Sequence, residues 1–153
     1  MPSKVWKVNN MAFIHLSGTG DFDHVRLLGV AFRAIAETII SSAEAAQLEI
    51  AVVEACNNIV EHAYANQSGI ITMDIFTTPE KLVVNLRDTG LSIPEKAQTP
   101  MESFDFSRDN LDDLPEGGFG LFLMDSLLDE RQYTSENGIN TLTLIKNLQS
   151  PPL

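Results

Sequence analysis

The sequence has a single cysteine, Cys56, so it can form no disulfide within itself, and a reducing, cytoplasmic setting is expected. Positive charge is scarce: 10 Lys and Arg stand against 21 Asp and Glu, for a net charge of -11. A nucleic-acid partner requires cations that displace counterions, and no basic cluster exists, so direct nucleic-acid binding is not expected. Long hydrophobic runs are also missing. The stretch from Gly29 to Ile40 is broken by Arg33 and Glu37, well short of a membrane span, and Met1 to Leu16 has no unbroken signal-type apolar core. A soluble protein without a membrane partner follows as the expectation. There are no internal repeats. With 153 residues, 44% of them hydrophobic, the chain reads as one globular domain over residues 1–153, with a tail at 148–153.

The elements follow from periodicity. Residues from Val5 to Leu16 can form a short strand or two, ahead of a turn at Ser17-Gly18-Thr19-Gly20. Asp21 is a good N-cap for a helix with apolar residues at Val25, Leu28, Phe32, Ile35 and Ile39, the spacing of a half-buried helix. A capping box, Ser41 with Glu44, opens a second helix that is predicted to run to about Ala65 and stop at Asn66-Gln67-Ser68-Gly69. The period then becomes two. Ile71, Met73 and Ile75, then Leu82, Val84 and Leu86 after Thr78-Pro79-Glu80, predict two antiparallel strands with one face on a core. Residues 91–117 carry Pro94, Pro100 and Pro115 and little periodicity, and a loop this long in a compact domain is usually functional. A third helix from Gly120 to Asp129 and a hairpin, Arg131–Thr134 and Ile139–Ile145 around Asn137-Gly138, close the chain. Helices bunched with strands predict an α+β fold, helices on one face of a mixed or antiparallel sheet.

Three short motifs carry polar groups. Glu54, Asn58 and His62 recur every four residues on an otherwise apolar helix, and Asn58 is a poor helix former in mid-helix. By spacing alone, a solvated face and a functional stripe fit equally well. Asp88-Thr89-Gly90 ends a strand, which Asp and Gly favour for conformational reasons alone. Gly117-Gly118-Phe119-Gly120-Leu121 opens a helix whose N-terminus favours an anion. No Lys-Ser or Lys-Thr follows these glycines, so it is not a Walker loop.

In this order, the three motifs resemble those of the GHKL ATPases. The run from Glu54 to Tyr64 is similar to the N-box of the anti-sigma-factor serine kinases, and the run from Glu116 to Asp125 is similar to their second glycine box. The resemblance covers roughly residues 20–147. It implies a two-layer α/β sandwich, helices on one face of a mixed sheet, that binds ATP with Mg²⁺. Glu54 would be the general base or water-orienting carboxylate, and Asn58 would hold Mg²⁺. Asp88 would accept from the adenine amino group, with Gly90 leaving room beside the ring, Thr141 sharing a water with Asp88, and Ile93 lining the site. Gly118 and Gly120, with the amides of Leu121 and Phe122, would hold the phosphates under a mobile lid at about 91–117. His62 would be structural, and Cys56 reads as a small buried hydrophobe.

The implied activity is phosphorylation of an anti-anti-sigma protein by an anti-sigma serine kinase that otherwise sequesters a sigma factor, working as a homodimer. Two positions depart from the family. Asn140 stands where a glycine often precedes the threonine, and Glu116 stands where some relatives place an arginine, leaving Arg108 as the lid's candidate cation. This acidity motivates an alternative, a catalytically inactive regulatory module whose partner binding is gated by ATP or ADP. A sensor histidine kinase fits poorly, since 153 residues leave no room for its phosphoacceptor hairpin.

Overall fold

A computed structural model describes residues 12–98 and 118–148. Five strands form one sheet: β1 (Ala12–Thr19), β2 (Ile70–Thr77), β3 (Lys81–Asp88), β4 (Glu130–Glu136) and β5 (Ile139–Asn147), in the spatial order β1-β2-β3-β5-β4. Every pairing is antiparallel, so the mixed sheet expected from the resemblance is an antiparallel one among the described residues. Three helices, α1 (Phe22–Ala36), α2 (Ser42–Asn58) and α3 (Gly118–Leu127), cover one face. The result is the expected two-layer α+β sandwich.

The predicted caps operate. The Asp21 carboxylate accepts from His24 N–H at 2.9 Å, and Ser41 Oγ accepts from Glu44 N–H at 3.2 Å. Val25, Leu28, Phe32 and Ala36 form the buried stripe of α1; Ala45, Leu48, Val52 and Cys56 form that of α2. They meet Ile71, Met73, Ile75, Leu82, Val84 and Leu86, the inward-facing alternate residues of β2 and β3. Truncating a fully buried member such as Phe32 to Ala would cost about 3–5 kcal/mol. The helices also approach each other closely: a Cβ on Gly29 would lie 2.7 Å from Val53 Cγ2. At Asn137-Gly138 both residues have positive φ (54° and 77°), as the tight β4–β5 turn requires.

Two boundaries differ from expectation. The residues expected to turn at 17–20 instead continue β1 through Thr19, because its register with β2 holds to the Thr19–Ile70 pair and Gly20 N–H bonds to Gly69 O at 2.7 Å. The strand expected from Val5 falls partly on residues 5–11, outside the described ones. The second helix does not run unchanged to Ala65: after Asn58 it widens into a π-helical turn, Ile59–Ala63, in which Tyr64 N–H bonds to Ile59 O at 2.9 Å.

Candidate nucleotide-binding site

The C-terminal half of α2 and the π-helical turn after it gather the three motifs. Glu54 and Asn58 lie one turn apart, both half-buried, and among the described residues neither side chain has a hydrogen-bonding partner. Gly120 of α3 sits against them. A Cβ there would lie 3.1 Å from Glu54 Oε2 and 4.0 Å from Asn58 Nδ2. The glycine box therefore brings the open N-terminus of α3 beside an unpaired carboxylate and an unpaired amide. In a helix beginning at Gly118, the N–H groups through Gly120 lack intrahelical carbonyls, whereas those of Leu121 and Phe122 belong to the bonded ladder. Gly118 and Gly120 are thus placed to offer backbone donors to an anion, and Leu121 and Phe122 less so.

Asp88 ends β3 on the core face and is 6% exposed. Its Oδ1 accepts from Gly90 N–H at 2.9 Å and from Asn140 Nδ2 at 2.8 Å, while Oδ2 has no partner among the described residues and is not sealed from solvent. Burial pushes this carboxyl above the ordinary carboxylate range, and the bonds from Asn140 and Gly90 only partly oppose it. Gly90 serves packing: a Cβ would sit 2.3 Å from Ala63 O, and the next amide, Leu91 N–H, bonds to that oxygen at 2.8 Å. Tyr64 completes the joint, its hydroxyl donating to Ile70 O at 2.6 Å and accepting from Thr89 N–H at 3.0 Å. The π-helical turn is what presents Ala63 and Tyr64 to the Asp88–Leu91 loop.

Thr141 does not share a site with Asp88. In β5, Asn140, Leu142 and Leu144 are buried on the core face, so Thr141 points to the opposite face, opposite Arg87 and Thr134. Asn140, 2% exposed, is the β5 residue that reaches Asp88. Its position one residue before the expected threonine was the available signal, since a one-residue offset in a strand exchanges faces.

Residues 91–98, expected as the first part of a lid, are tethered. Ile93 N–H donates to Tyr133 Oη at 2.9 Å, and Gln98 Nε2 donates to Ile93 O at 2.8 Å. Arg131 binds Asp125 of α3 through two nitrogens at 2.7 and 3.2 Å and donates to Gln98 O at 2.9 Å. Neither Arg131 nor Tyr133 was legible as a site-supporting residue from its strand pattern. Arg108 and residues 99–117 lie outside the described residues. His62 is exposed beside Glu61. Burial pushes the Cys56 thiol up to about 12, which leaves it inert.

Among the described residues no three His, Cys, Asp or Glu side chains cluster as a metal cage. One amide oxygen from Asn58, with Glu54 nearby, instead suits a hard ion that keeps its waters and binds substrate phosphates, which is the habit of Mg²⁺. No helix among the described residues is long and apolar enough to cross a membrane.

A family model described as a histidine kinase-like ATPase domain matches residues 19–146. The serine-protein kinases RsbW of Bacillus mycoides (strain KBAB4) and Bacillus cereus (strain B4264) are each 32% identical over 96 residues, 62% of this chain and 59% of the relative. The chain thus spans 59% of the length of these curated relatives. A crystal structure of the RsbU and RsbW domains of a Mycobacterium tuberculosis protein shares the fold, with a TM-score of 0.62 at 20% identity, covering 92% of this chain and 33% of that one.

Proposed function

The chain belongs to the histidine kinase-like ATPase domain family, and from that premise we propose that it is an ATP- and Mg²⁺-dependent serine protein kinase that phosphorylates an anti-anti-sigma protein and sequesters a sigma factor. One observation supports this reading: Gly120 lies against Glu54 and Asn58 of α2, and Gly90 lies against Ala63 of the π-helical turn that continues it, so the groups read here as phosphate donors, base and adenine acceptor all adjoin one continuous helical segment. That the relatives are serine-protein kinases supports the choice of acceptor.

In this reading Asp88 Oδ2, an acceptor only, takes the adenine amino group and repels the guanine oxygen. The α3 amides face the phosphates, and Asn58 would hold an Mg²⁺ that would supply charge stabilisation there. A serine hydroxyl of the partner attacks the γ-phosphorus, Glu54 accepts its proton, the bond to the β-phosphate oxygen breaks, and ADP departs. Phosphoryl transfer asks mainly for such positioning and charge compensation. Homodimerisation, the two protein partners and a cytoplasmic location complete the proposal.

The test is transfer of labelled γ-phosphate from ATP to a purified anti-anti-sigma protein. Glu54→Ala should bind ATP almost as wild type yet transfer about 10²–10⁴-fold more slowly. Asn58→Ala should weaken Mg²⁺-dependent binding as well. A wild-type protein that binds ATP but phosphorylates no cognate partner would replace the kinase with the nucleotide-gated binding module.

A further inference from the structure

We propose that Asn140 is the residue that fixes purine specificity, by holding Asp88 in its acceptor-only form with one oxygen engaged and the other free. This deepens the reading of Asp88 as the base-reading group and rests on it. Asn140 is almost fully enclosed, and every polar atom of its amide is committed. Nδ2 faces Asp88 Oδ1 at 2.8 Å, Gly90 O at 3.1 Å and Leu91 O at 3.3 Å, while Oδ1 accepts from Ser135 Oγ at 2.7 Å. The three atoms facing Nδ2 only accept, so they set the amide with its donor toward Asp88, and the Ser135 hydroxyl anchors the opposite end of the amide.

The consequence concerns where a proton can sit. Asp88 Oδ1 receives two N–H donors, from Asn140 and Gly90, so a proton taken up by the carboxyl must go to Oδ2. That oxygen would then donate instead of accept, and it would suit the O6 acceptor of guanine rather than the amino group of adenine. Burial favours the protonated form, and the Asn140 bond opposes it. No cation compensates among the described residues. On β4 the titratable neighbour is the Tyr133 phenol, on the π-helical turn it is the Tyr64 phenol, already bonded to Ile70 and Thr89, and Arg87 of β3 is engaged with Asp74 on the far face. A neutral amide therefore carries the task of keeping Asp88 ionised.

Calorimetric titration of the full chain with Mg-ATP and with Mg-GTP, at about pH 5.5 and about pH 8, tests this, because each unit of carboxyl shift is about ten-fold in protonation. In wild type the ATP-to-GTP affinity ratio should change little between the two conditions. In Asn140→Leu it should fall by about ten-fold or more at the acid condition. Ser135→Ala, a change at an exposed residue, should move it the same way by several-fold, and Asp88→Asn, which cannot titrate, should show no such pH dependence. A folded Asn140→Leu whose ratio is as flat as wild type overturns the proposal; should that variant fail to fold, a flat ratio in Ser135→Ala overturns it. Equal affinities for ATP and GTP in wild type at both conditions would instead remove the adenine reading of Asp88, and this proposal with it.

Discussion

Two buried aspartates on adjacent strands take opposite roles. Asp74 of β2 and Asp88 of β3 are 4% and 6% exposed, yet they lie on opposite faces of the sheet. Asp74 has both oxygens occupied: His15 Nδ1 binds Oδ1 at 2.5 Å and Arg87 Nη1 binds Oδ2. Burial pushes its carboxyl up, but the bonds to His15 and Arg87 outweigh that, and it ends below the ordinary range. Asp88 faces neutral donors on one oxygen only, and burial prevails. A carboxylate closed by an arginine and a histidine ties three strands together; one held by amides keeps an acceptor oxygen unpaired among the described residues. Burial alone does not separate structure from function. The identity and number of the partners does.

Asp88→Asn breaks the comparison most sharply. The amide oxygen can keep both existing bonds, from Asn140 and Gly90, so the unliganded fold should be as stable as wild type or more so, since a buried charge is removed. The free position becomes a donor, and ATP affinity should drop by about 1.5–3 kcal/mol. Calorimetry with ATP and thermal unfolding without it read the two effects. Asp74→Ala should do the reverse. It unpairs Arg87 and His15, and because both are partly exposed they can rehydrate, so about 1–2 kcal/mol of unfolding free energy should be lost. ATP affinity should stay unchanged. Denaturant unfolding beside the same titration checks it, and a weakened ATP affinity in Asp74→Ala would mean that the two faces are coupled.

The same pair shows how far the sequence could be read. The caps at Asp21 and Ser41, the alternation in β2 and β3 and the Asn137-Gly138 turn are local signals, and each became the element it predicted. The motif residues Glu54, Asn58 and Gly120 also come together, because the α2–α3 contact follows from their apolar neighbours. What escaped depends on distant partners. Asp74 alternates like any solvent-facing residue; only its neighbours across β1 and β3 bury it. The π-helical turn at Ile59–Ala63 is stabilised by Gly90 and Leu91, about thirty residues downstream, which no helical periodicity contains. Asn140, and not Thr141, faces Asp88 because strand register, and not residue type, decides which of two neighbours does so.

The smallest effect is the most direct test of the contrast, since it asks for opposite signs from one substitution type. Stability rises with pH wherever the unfolded chain binds more protons than the folded one. Asp74 titrates lower when folded than when unfolded, so its contribution is present above the unfolded carboxylate value and is lost as pH falls through the lowered one. Asp88 titrates higher when folded, so its contribution is present below the unfolded value and is lost as pH rises through the raised one. Between acid and neutral pH the two slopes oppose each other. Asp74→Asn should therefore flatten the gain in unfolding free energy from acid to neutral pH, and Asp88→Asn should steepen it. Urea unfolding of each variant across that range, without nucleotide, measures both slopes. If Asp88→Asn flattened the profile as Asp74→Asn does, Asp88 would be a carboxylate stabilised by the fold, and its free oxygen would no longer distinguish it from its neighbour.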